Sequence, residues 1–110
     1  MMKLAKSNYH TLHVLRTAEP KLREDLISNC NSELVNSISE CILNAVNGNV
    51  KLTGCNTHKL RKHKVTLRKV VDKRVPLSTK KKLIVQRGGF LLPLLRAVLP
   101  VIASLILSSK

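Results

Sequence analysis

The clearest periodicity in the chain lies in its first half. Leu34, Val35, Ile38, Cys41, Ile42, Ala45 and Val46 fall at i, i+1, i+4, i+7, i+8, i+11 and i+12, which lines one face of an α-helix. Asn31 or Ser32 can cap it, because a short oxygen-bearing side chain accepts a free backbone N–H. Asn47-Gly48-Asn49 stops it, since Asn and Gly tolerate a left-handed cap. Upstream, Leu12, Val14 and Leu15 precede Glu19-Pro20, where proline suits a first helical turn. Leu22, Leu26 and Ile27 then form a second short apolar stripe.

After residue 50 the pattern changes. Leu52–Asn56 reads as a turn. A helix is predicted from Thr57 to Arg74, its narrow seam made of Leu60, Leu67, Val70 and Val71. Pro76 should end it, because the residue before proline is pushed out of helical geometry. Ser78 can cap a short helix over Thr79–Gln86, although Leu83–Val85 alone would also suit a strand. Arg87-Gly88-Gly89 breaks the chain, and Phe90 to Leu107 is eighteen residues with one charge, Arg96. Too few β-type runs exist to build a sheet. The expected fold is all-α: three to four short helices followed by a hydrophobic C-terminal tail. The expected regions are a neutral helical 1–50, a basic 51–87, and a diglycine junction with tail over 88–110.

Charge sharpens this division. The 110 residues carry a formal charge of +14. Residues 1–50 hold five basic and five acidic side chains, whereas 51–87 hold thirteen basic residues against Asp72 alone. Such a block repels itself and calls for a polyanion. The candidate phosphate ligands are Lys59, Arg61, Lys62, Lys64, Arg68, Lys69, Lys73, Arg74, Lys80, Lys81, Lys82 and Arg87. If eight to ten of the thirteen cations reach phosphates, affinity should fall with salt at a log–log slope of about −0.9 per contact. Lys81-Lys82 and their neighbours also suit a nuclear-import signal. Tyr9 and Phe90 are the only aromatic residues. That argues against base-stacking readers, which need several exposed rings, and points to binding blind to sequence. Cys30, Cys41 and Cys55 form no paired framework, and no signal-peptide core precedes them; free thiols in a reducing, cytosolic or nuclear setting are expected.

The tail is near the lower length limit for crossing a bilayer. Pro93 and Pro100 should interrupt its helix, and a central Arg96 opposes insertion by about 2.5–3.5 kcal/mol. Leu91, Leu92, Leu94, Leu95, Val98, Leu99 and Ile102 are its membrane-facing candidates; burial against protein is the competing use. A membrane-active or tail-anchored small basic protein is therefore the alternative function, with a membrane-associated location.

Other chemistry is weakly supported. Cys55-x2-His58-x4-His63 supplies half of a zinc-site spacing, but four ligands must converge. The fourth would have to be Cys41, which the helical pattern puts on the apolar face; no metal is assigned. His10 and His13 are close in sequence, a weak signal alone. With six carboxylates, no phosphate-binding glycine loop and no nucleophile elbow, the chain reads as a non-enzyme without a cofactor.

One stretch is more specific than composition. A basic cluster, then Arg87-Gly88-Gly89-Phe90-Leu91-Leu92-Pro93-Leu94-Leu95, then Val98-Leu99-Pro100-Val101-Ile102-Ala103-Ser104, resembles the precursor of adenovirus core protein X (mu). Related small proteins occur in adenovirus-like elements of the Maverick/Polinton or adintovirus group. The match covers roughly residues 80–105. The resemblance implies a virion core protein that binds and condenses double-stranded DNA, located in the virion core and host nucleus. Apart from it, a tail that meets capsid proteins or a membrane, and a helical interaction module over residues 20–50 that binds capsid or another partner, are further expectations. The resemblance also implies cleavage by an adenovirus-type cysteine protease after Gly89, at Gln86-Arg87-Gly88-Gly89, before Phe90. Two glycines give an extended, side-chain-free strand for a narrow cleft. This chain departs from the family in using mainly Lys rather than Arg. Its residues 1–50 have no counterpart in the short adenovirus protein.

Overall fold

The computed structural model describes residues 2–108, which form eight α-helices and one 3-10 turn, with no strand among the described residues. The helices are α1 (Lys3–Ser7), α2 (Tyr9–Thr17), α3 (Pro20–Ser28), α4 (Ser32–Val46), α5 (Gly54–Lys62), α6 (Lys64–Val71), α7 (Leu77–Gln86) and α8 (Leu91–Ser108). The all-α expectation holds, with more and shorter helices than predicted. The Cα radius of gyration is 12.9 Å, close to the roughly 13 Å of a compact chain this long.

The hydrophobic C-terminal segment is the centre of this fold. α8 packs on α1, α2, α4 and α5. It buries Leu91, Pro93, Leu94, Leu95, Val98, Leu99 and Ile102 against a core that includes Leu12, Leu15, Val35, Ile38 and Ile42. Arg96, Pro100 and Ser104, spaced by four, are exposed on the other side. Neither proline breaks the helix. Pro93 sits in the first turn, where backbone N–H groups have no intrahelical partner anyway. Pro100 denies a donor to the Arg96 carbonyl, but both residues face out, so water can take its place.

α4 follows its sequence pattern. The Asn31 side chain accepts from Glu33 N (3.1 Å) and Leu34 N (3.4 Å), and Gly48 takes the left-handed conformation just past the C-cap (φ 80°). Long-range side-chain bonds tie α1 and α6 to it. The Glu40 carboxylate accepts from Leu4 N (3.3 Å) and Ala5 N (2.9 Å) at the start of α1. Ser39 Oγ donates to the Val70 carbonyl near the end of α6 (3.1 Å).

The expected helix 57–74 is two helices. α5 begins earlier, at Gly54, because the Thr53 hydroxyl accepts from Asn56 N (3.1 Å). It stops at His63, whose backbone (φ −105°, ψ 20°) leaves helical geometry before α6 starts. α6 ends at Val71, ahead of Pro76, because the Asp72 carboxylate accepts from Arg74 N (2.9 Å) and builds a local turn. Pro76 then precedes α7 as its N-cap residue, so that helix starts before Ser78 and has no side-chain cap.

Candidate nucleic-acid interface

The basic residues divide by burial. α6 buries Thr66, Leu67 and Val70 and exposes Lys64, Val65, Arg68 and Lys69. Since 3.6 residues make a turn, the exposed four form one outward arc. α5 buries Leu60 and exposes Lys59, Arg61 and Lys62. Lys73, Arg74, Lys82 and Arg87 are also exposed. Ten of the twelve candidate phosphate ligands therefore reach solvent.

Lys80 and Lys81 do otherwise. Lys80 is only 8% exposed, and no unpartnered buried side-chain nitrogen exists among the described residues; its stem is buried while the ammonium tip stays wet. Lys81 Nζ donates to the carbonyls of Ser28 (3.5 Å) and Cys30. These lie at the end of α3, where free carbonyls and the helix dipole favour a cation. Lys81 thus joins α7 to α3. Sequence reasoning also could not see Arg23, which donates to the Leu15 and Ala18 carbonyls (2.9 and 2.8 Å) at the end of α2.

Little neutralises the exposed set. Asp72–Arg74 (3.1 Å) is the one ion pair among the described residues. The Arg74 side chain, then its backbone N–H, hold the Asp72 carboxyl below its usual range. The other five acids are Glu19 just before α3, Glu24 and Asp25 on α3, and Glu33 and Glu40 on α4.

The Gln86–Phe90 junction is a corner, not an extended strand. Gln86 ends α7, Arg87 follows, and Gly88–Phe90 form the 3-10 turn that leads into α8. Gln86, Arg87 and Gly89 are exposed, Gly88 is half-buried and Phe90 is fully buried. The His63 ring tilts against Phe90, with centroids 6.2 Å apart. Of the tail candidates, Leu91, Leu94, Leu95, Val98, Leu99 and Ile102 are core residues, and Leu92 is half-buried.

The thiols are free. Cys41 is buried, and burial, then the neighbouring Glu40 charge, push its pKa up to about 12. Cys55 and His58 are exposed on α5, while His63 faces the junction. No group of three or more His, Cys, Asp or Glu side chains comes together among the described residues. Comparison with protein-family models, curated proteins and solved structures gives no match to this chain.

Proposed function

We propose that the protein is a core protein of an adenovirus-like virus or Maverick/Polinton-type element that binds and condenses double-stranded DNA through its phosphates. The observation that carries the reading is the set of ten exposed, almost unpaired cations over α5, α6, α7 and the turns beside them. The longest dimension of the molecule, 36 Å, is about one turn of duplex, so one molecule can track several phosphates. Convex helices cannot bring all ten cations to one duplex. With about six to eight contacts, log affinity should fall against log salt with a slope of about −5 to −7. Two unrelated duplexes should give the same curve in an anisotropy titration of the full chain from low to moderate salt. Affinity that ignores salt, or that strongly prefers one duplex, would overturn the reading.

Processing after Gly89 is part of the proposal. Gly88 does not adopt a positive φ, and a Cβ there would meet nothing within 4 Å. The fold does not require glycine at this position, whereas a protease cleft that admits only side-chain-free residues would. Because Phe90 is buried, scission needs the corner to open. Membrane insertion of α8 draws less support, since its removal would strip the α2 and α4 surfaces that pack on it.

A further inference from the structure

A groove of about 730 Å³ runs between α4 and the α5–α6 pair. Ile42, Leu60, Leu67 and Leu94 line its apolar floor, and its charged lining is wholly cationic: Arg61, Lys64 and Arg68. On its α4 side stand Leu43 and Val46, 45% and 69% exposed. Val46 continues the same helical stripe whose members from Leu34 to Ala45 are buried. The stripe thus runs past the point where the protein's own core covers it.

We propose that this groove seats an acidic amphipathic helix of a partner protein. Apolar anchors at i, i+3 or i+4 and i+7 would fill the floor and cover Leu43 and Val46, the usual way a helix lies in a groove. Flanking Asp or Glu would meet Arg61, Lys64 and Arg68 in charge-assisted hydrogen bonds. The charge complementarity selects an acidic occupant, and the exposed apolar lip selects among acidic ones. A duplex has phosphates for the three cations but nothing apolar to cover the floor. A lipid chain in so open a trough would leave one flank wet, whereas an amphipathic helix turns its polar side outward. A second copy brings +14 of like charge; its α3 balances Glu24 and Asp25 with Lys21 and Arg23 and exposes only Leu22 as a large apolar anchor. The site is separate from the DNA reading except that Arg61, Lys64 and Arg68 are shared, so occupancy should reduce DNA binding.

The test uses the full chain and a fluorescent helical peptide with leucines at i, i+3, i+4 and i+7 flanked by glutamates, beside a scrambled peptide of equal composition. The ordered peptide should bind saturably, and the scramble about tenfold more weakly. Leu43→Asn with Val46→Asn changes exposed positions and no charge. It should weaken peptide binding about tenfold while leaving the DNA titration unchanged, which separates failure here from failure of the DNA proposal. Arg61→Gln with Arg68→Gln, also at the surface, should weaken both ligands. Equal affinity for the scramble, or full binding by the Leu43→Asn/Val46→Asn protein, would overturn the proposal. So would displacement of the peptide by zwitterionic phosphatidylcholine vesicles, which carry no net charge to compete for the three cations, or a dimer of the free protein that the Leu43→Asn/Val46→Asn substitution abolishes, since these assign the groove to lipid or to a second copy.

Discussion

A Cβ on Gly89 would lie 3.0 Å from both Cε1 and Nε2 of His63, whereas one on Gly88 would have open space around it. The two glycines should therefore respond differently to substitution. Gly88→Ala is expected to leave stability unchanged or raise it by up to about 1 kcal/mol, through a less flexible unfolded chain. Gly89→Ala should cost about 1 kcal/mol, because the His63 ring already rests on Phe90 and has little room to retreat. Urea unfolding measures both, and adding His63→Ala should recover most of the Gly89→Ala loss. Cys41 gives a pH signature. Its pKa in the fold, about 12, is raised above that of an unfolded thiol, so the unfolded chain loses the proton first. The contribution is complete below about pH 8.5 and declines as pH rises toward the folded value, by about 1.4 kcal/mol per pH unit. Cys41→Ala should remove that part of the alkaline slope in unfolding titrations; an unchanged slope would refute the assignment.

The helices differ in how far their residues announced them. α4 was legible from end to end because a polar cap, a one-sided stripe and a left-handed stop all agree. The break at His63 was not, since Lys62 to Lys69 continue an acceptable helical pattern; the His63 ring meets Phe90, a neighbour distant in sequence. α8 reads two ways: its many apolar residues suit a lipid-seeking tail, while Arg96, Pro100 and Ser104 at intervals of four mark an outward stripe in the folded chain. That spacing was a readable sign of an amphipathic core helix. The proline on this stripe gives a prediction for the element. Pro100→Ala restores a donor for the Arg96 carbonyl at an exposed position and should stabilise the protein by about 1–2 kcal/mol. A higher thermal midpoint would show it; a lower one would mean that the proline's ring packs usefully.

At the scale of the molecule, the basic surface was largely visible in advance, because counting charges needs no fold. What could not be read was which cations the fold keeps. Lys81 is engaged only because α7 lies on α3, and the groove exists only because α4 meets the α5–α6 pair. A chain ending at Gly89 should accordingly fail as a folded unit. Without α8 the other helices lose the element on which α1, α2, α4 and α5 pack, so residues 1–89 should show weak helical circular dichroism and no cooperative thermal transition. A sharp transition in that fragment would show that the first seven helices form a core of their own.

The docking of α2 on α8 also has a kinetic consequence. These helices lie near opposite ends of the sequence, so the intervening chain must lose its loop freedom before their contacts can reward it. Small helical proteins usually fold fast because their contacts are local. This one should refold more slowly than its helix content suggests, and a truncating hydrophobic substitution at the α2–α8 seam should then act chiefly on the folding rate, because that closure is made by the time the barrier is crossed.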